Sequence, residues 1–168
     1  LIQAIVSATQ IYDQVLVCAP SNAAVDLLVE RMGDENLDVL RIGHPARIDE
    51  KIIQRTLDAK ILAHPSYKAY KKLRKEAEEY RRKANKFKRN FGHAEREKRK
   101  MHYNEAGKCQ AEARQLYDYM THSILDSCQV IACTLVGAAS NLLKGKTFQV
   151  VFLDEAAQGL EPATWIPI

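Results

Sequence analysis

Four short apolar runs constrain this chain more than any other feature: residues 14–19 (QVLVCA), 38–42 (DVLRI), 129–133 (QVIAC) and 148–153 (FQVVFL). Each is too short for a core helix and is rich in β-branched residues, and none shows the polar alternation of a half-solvated strand. They read as strands buried in a parallel sheet. Pro20 ends the first run, Ser21 or Asn22 can cap the helix AAVDLLVERM, and that helix stops near Gly33. Strand, helix, strand is a βαβ unit, which predicts an α/β fold with a parallel sheet. Upstream, Leu1, Ile2, Ile5, Val6 and Thr9 share helical spacing and suit the back half of a helix. Downstream, Gly43-His44-Pro45 predicts a turn.

The α/β pattern is then interrupted. Tyr70, Leu73, Ala77, Tyr80, Ala84, Phe87 and Phe91 alternate three- and four-residue spacings, a strict heptad seam. A second seam runs through Ala106, Cys109, Ala113, Leu116, Met120 and Ile124. Each needs a partner and the other is nearest, so two long antiparallel helices are expected, turning at Gly92 or over Asn104–Gly107. Eight of the 12 aromatics lie in residues 67–119, where heptad spacing favours core packing over base stacking. The same region is basic: residues 51–115 hold 20 Lys/Arg against 8 Asp/Glu, and all other positions hold 5 against 13. A solvated helix surface and an electrostatic footprint for nucleic acid both fit that charge. The expected organisation is an α/β part over 1–50 and 127–168, with a basic helical stalk inserted over 51–126.

Composition sets the remaining limits. The chain has 168 residues, 46% hydrophobic and 27% charged, close to ordinary globular values. No apolar run approaches the ~20 residues a membrane-spanning helix needs, so no membrane partner is expected. Four scattered cysteines without a CxxC pair make neither a disulfide framework nor a zinc site, which suits a reducing, intracellular compartment. The chain starts at Leu1 rather than Met, with no signal-peptide pattern, and is expected to be a fragment.

The strongest chemical candidate is Asp154-Glu155-Ala156-Ala157-Gln158, straight after FQVVFL. Two adjacent carboxylates at the carboxyl end of a parallel strand lie where α/β sheets bind ligands. Nucleotide hydrolysis needs one carboxylate to hold Mg²⁺ and one to position or activate water. A polar strand-to-helix turn is the plainer reading of the same residues. Ala19-Pro20-Ser21-Asn22 offers a helix N-terminus with small polar side chains, suited to a phosphate but equally an ordinary N-cap. Cys133-Thr134-Leu135-Val136-Gly137-Ala138 ends a third strand in residues small enough for close backbone approach. Gly145-Lys146-Thr147 imitates the end of a phosphate-binding loop, but Ser140 stands where its first glycine belongs and a strand follows instead of a helix. Lys144 and Lys146 are expected to be surface charges. The five histidines show no ligand spacing.

Together these segments carry a resemblance. APSNAAVD, VLRIGHPARI, a helical insertion, ACTLVGA, VVFLDEAAQ and EPATWIPI, in that order, resemble superfamily 1 helicases of the up-frameshift type, and RIGHPAR points to the immunoglobulin-mu-binding-protein-like DNA/RNA helicases among them. The resemblance implies a partial RecA-like P-loop NTPase fold and a parent enzyme that unwinds nucleic acid 5′ to 3′ with ATP and Mg²⁺, in the nucleus and/or cytoplasm. It implies that Asp154 coordinates Mg²⁺, Glu155 activates the hydrolytic water and Gln158 senses the γ-phosphate. It implies contacts to single-stranded DNA or RNA from Pro20, Ser21 and Asn22 and from Thr134, Gly137 and Ala138. The family's phosphate-binding loop would precede Leu1, and its second RecA-like domain with the arginine finger would follow. This stretch alone is therefore not expected to hydrolyse ATP. The alternatives are a non-catalytic module that binds nucleic acid or protein through the basic hairpin, and a different P-loop ATPase. Acid residues at a strand end argue against the first, and the APSN and TLVGA segments against the second.

Overall fold

A computed structural model describes residues 1–43, 48–86 and 92–168. His44 and Pro45 of the expected turn, Ala46 and Arg47 of RIGHPAR, and Phe87 and Phe91 of the first seam lie outside the described residues. The chain divides into two compact units, residues 1–60 with 124–168, and residues 61–123.

The first unit is α/β. Helix α1 (Ile2–Thr9) leads to β1 (Val15–Ala19), α2 (Asn22–Asp34) and β2 (Val39–Arg41). A 3-10 turn (Glu50–Arg55) and α3 (Leu57–Ala63) follow. The chain returns through β3 (Val130–Thr134), a 3-10 turn (Val136–Ala139), β4 (Val151–Leu153) and a second such turn (Ala156–Gln158), and closes with α6 (Glu161–Thr164). Ser21 is the N-cap of α2: its Oγ accepts the Ala24 N–H at 3.1 Å. All four strands are parallel, in the order β2-β3-β1-β4. The two strands of the βαβ unit are therefore not neighbours, because β3 inserts between them.

Every residue of β1 is buried, as a central strand covered on both faces requires. Ile5 of α1 and Val25, Val29 and Met32 of α2 pack with Val15, Val17, Val39 and Val130 in one core. β4 departs from the sequence reading. It is shorter than FQVVFL and its three residues are only half-buried, because it pairs with β1 on one side and ends the sheet on the other.

The second unit is a helical hairpin of α4 (Tyr67–Asn85) and the described part of α5 (His93–Ser127) that runs beside it. Tyr70 meets Tyr117 with ring centroids 5.8 Å apart, Arg81 bonds Gln110, and Tyr80 faces His102 at 6.1 Å. Residue numbers rise on one helix as they fall on the other, so the pair is antiparallel. Ala77 and Ala84 are buried on one seam and Ala106, Ala113 and Met120 on the other. Asn104–Gly107 does not turn the chain: it is interior to α5. The seam keeps its phase through Ala106 and Cys109, and one exposed glycine costs a long helix only about 1 kcal/mol.

Candidate active site and nucleic-acid interface at the carboxyl end of the sheet

Parallel strands bring their carboxyl ends to one edge, where α/β sheets bind ligands. The register makes that edge level. Ala19 pairs with Thr134, the Asp154 N–H donates to the Cys18 carbonyl at 2.8 Å, and the Leu135 N–H donates to the Ala19 carbonyl at 3.1 Å. The segments leaving β1, β3 and β4 thus start side by side.

Asp154 is half-buried and Glu155 is exposed. Glu155 has φ of 50°, a left-handed conformation that among the described non-glycine residues only Asn36 shares. An L-residue pays backbone strain there, of order 1–3 kcal/mol, and such residues cluster at functional sites. The kink turns the chain sharply after the strand, and the Glu155 carbonyl accepts the Gln158 N–H at 2.9 Å to close the 3-10 turn. Gln158 is exposed on that turn. Neither the Asp154 nor the Glu155 carboxylate bonds or pairs with a described residue. Two uncommitted hard oxygen donors at a strand end suit Mg²⁺, which takes one or two carboxylates and fills its other positions with water and phosphate oxygens.

The other candidate residues divide. Asn22, Thr134 and Gly137 line one open cavity of about 600 Å³ beyond the ends of β1, β2 and β3, together with Arg41, Thr56, Asp58 and Ser140. Pro20, Ser21, Ala138 and the Asp154-Glu155-Gln158 group do not line it. Thr134 holds the cavity's shape: its Oγ1 accepts the Gly137 N–H at 3.0 Å. Gly137 is required there, since a Cβ would stand 2.9 Å from that oxygen and 3.3 Å from the Cys133 Cβ.

One residue of this site escapes the sequence reading. Arg41 closes β2 and is fully buried. Its Nε donates to Asp26 Oδ1 at 2.7 Å, its Nη2 to Asn22 Oδ1 at 2.9 Å, and its Nη1 to the Ile42 carbonyl. Asp26 also accepts the Asp49 N–H at 3.0 Å. The network ties the start of α2 to the end of β2 and commits the side-chain oxygen of Asn22 to Arg41. A Cβ at Gly43 would lie 2.8 Å from Arg41 Nη1, so a larger residue there would press on the guanidinium.

Behind this edge, Cys18 and Cys133 lie in register on β1 and β3 with their sulfurs 3.6 Å apart. The hydrogen shared with Cys133, then burial, holds the Cys18 thiol well above its ordinary range. The same contact lowers the Cys133 thiol, which accepts the shared hydrogen. Lys146, in the segment that imitates a phosphate-binding loop, is not a free surface charge: its Nζ pairs with Asp126 at 2.7 Å. Among the described residues no cluster of three or more His, Cys, Asp and Glu has metal-binding geometry, and no helix is long and apolar enough to cross a membrane.

Residues 2–168 match the family profile of the AAA domain. The chain is 32% identical over 155 residues to DNA polymerase alpha-associated DNA helicase A of Schizosaccharomyces pombe, covering 92% of this chain and 23% of that protein. It is 32% identical over 159 residues to the DNA-binding protein SMUBP-2 of Rattus norvegicus, covering 92% of this chain and 16% of that protein. It is 29% identical over 173 residues to the regulator of nonsense transcripts 1 homolog of Drosophila melanogaster, covering 98% of this chain and 13% of that protein. The chain thus spans less than a quarter of the length of each of these relatives. With an all-parallel sheet of this order, the chain belongs to the AAA domain family and forms part of a RecA-like domain.

Proposed function

We propose that the whole protein is an ATP-dependent helicase that unwinds DNA or RNA 5′ to 3′ in the nucleus and/or cytoplasm, and that this chain carries its metal-binding and water-activating acids and part of its single-strand contact. One observation carries the reading: two carboxylates with no partner among the described residues, one on a left-handed residue, stand at the strand end level with the Ala19 and Thr134 exits. A scaffold has no use for that arrangement. Asp154 would hold Mg²⁺, which supplies charge neutralisation on the nucleotide phosphates when bound. Glu155, exposed and turned away from the strand direction, would accept the proton of the attacking water. Gln158 sits one 3-10 turn further on and would read the γ-phosphate. Asn22, Thr134 and Gly137 would receive the strand backbone in their shared cavity, with Pro20, Ser21 and Ala138 on the segments that carry them.

The test is Glu155→Gln in the full-length protein. ATP affinity should stay near wild type while turnover falls by about two to four orders of magnitude, as for loss of a general base. Full turnover in that variant would remove Glu155 from the chemistry.

A further inference from the structure

The hairpin holds a second cavity, of about 370 Å³, that the sheet-edge site does not use. It exists because the two seams meet through small residues: Ala77 and Ala113 are both buried, and the longer side chains around them become its walls. Arg74 and Arg81 from α4 and Arg114 from α5 line it, with the rings of Tyr70 and Tyr117 and the carboxylate of Glu78. The arginines are differently held. Arg74 Nη1 donates to the Tyr70 hydroxyl at 3.0 Å, Arg81 is bonded to Gln110, and Arg114 makes no hydrogen bond or ion pair with a described residue. The two tyrosine rings are tilted 46° to each other and both are half-buried; the Arg74 guanidinium lies over the Tyr70 ring at 5.9 Å, which leaves the Tyr117 ring as the main aromatic surface of the groove.

We propose that this groove binds one nucleotide unit of a single strand, its phosphate on the arginine forks and its base against the Tyr117 ring. Guanidinium forks match phosphate oxygens in pairs, which ammonium groups do not. Aromatic faces stack any base, so such a groove tolerates any sequence. The volume falls within the range of small-ligand sites and suits a nucleotide. Three arginines against one carboxylate leave the site a net cation at the centre of a basic unit. A phosphorylated peptide would use the forks and leave the rings idle. The choice of a strand as ligand rests on the helicase reading above.

The test uses the full-length protein and a fluorescein-labelled oligothymidylate, followed by anisotropy. The first variant replaces Arg74, Arg81 and Arg114 with lysine, which keeps every charge and removes every fork. A control replaces Lys68, Lys75 and Lys100, exposed residues outside the groove, with alanine. A third variant is Tyr117→Leu. The lysine triple should weaken binding about tenfold or more, and Tyr117→Leu about fivefold or more. Each should exceed the effect of the control, although the control alone removes charge. Equal affinity of wild type and the lysine triple would overturn the groove and leave the helicase reading intact. A wild-type protein that binds no oligothymidylate would overturn both. Competition by free thymidine monophosphate as effective, per nucleotide, as by the oligomer would overturn the strand as its ligand. A circular dichroism melt of each variant separates weakened binding from failed folding.

Discussion

At the scale of single residues, the site combines side chains that the sequence exposes with one that it hides. Asp154 and Glu155 are legible because two acids follow an apolar run, and the backbone adds the left-handed turn at Glu155 that no propensity would suggest. Arg41 is hidden because it closes a strand whose other members, Val39 and Leu40, are apolar, and its partner lies 15 residues away on a helix. The signal is mutual: Asp26 is buried on the same face of α2 as Val25 and Val29, and an unpaired acid there needs a cation. This pair yields a sharp expectation. Arg41→Met removes the guanidinium from a side chain with no solvent exposure and strands the Asp26 carboxylate, which is 10% exposed. Loss of one partner of a buried pair costs about 3–5 kcal/mol. Adding Asp26→Leu should restore much of that, since an apolar pair of similar volume is often neutral. Urea midpoints of the two variants measure it. A single variant as stable as wild type would mean that the network orients Asn22 without holding the fold.

At the scale of elements, most of the architecture follows from period and punctuation. The strand runs, the cap at Ser21 or Asn22 and the heptad seams each name their element. Two features do not follow. β4 reads as a fully buried strand, but its burial depends on having neighbours on both sides, which is a property of sheet order and not of the segment. The turn between the long helices fits both Gly92 and Asn104–Gly107 by sequence, because glycine and asparagine weaken a helix without ending it when the seam continues in phase. Gly107 tests that account. It is exposed within α5, and a Cβ there would meet nothing within 4 Å. Gly107→Ala should therefore stabilise the hairpin by about 0.5–1 kcal/mol, through lower unfolded-state entropy and better helix propensity. Calorimetry should record a rise of a few degrees in melting temperature. A fall would show that α5 needs its glycine for something other than helix formation.

At the scale of the whole molecule, the charge is partitioned along the chain. Residues 51–115 carry a net +12 and the remainder a net −8. The sequence states that division, but two readings fit it: a solvated surface or a binding footprint. Among the described residues, ion pairs to acids outside this region absorb little of the excess: only Lys51 with Glu30 and Lys60 with Asp38. The described pairs on the hairpin, Lys72 with Glu76, Lys98 with Glu95 and Lys108 with Glu105, are all local to one helix and mostly exposed. Such pairs contribute little to stability. The excess is therefore available to a polyanion, and counterion release gives it a signature that folding stability does not share. In the full-length protein, replacing Lys71, Lys72, Arg81, Arg82 and Lys83 with glutamine should weaken single-strand binding most at low salt. It should also flatten the plot of log affinity against log salt by about 0.7 for each phosphate that the variant no longer neutralises. An unchanged slope would return these residues to the role of a soluble surface. A flattened slope with ATP turnover intact in the absence of strand would separate the footprint on the hairpin from the acids at the sheet edge, because Coulomb attraction to phosphates and proton transfer from water draw on different residues of the same chain.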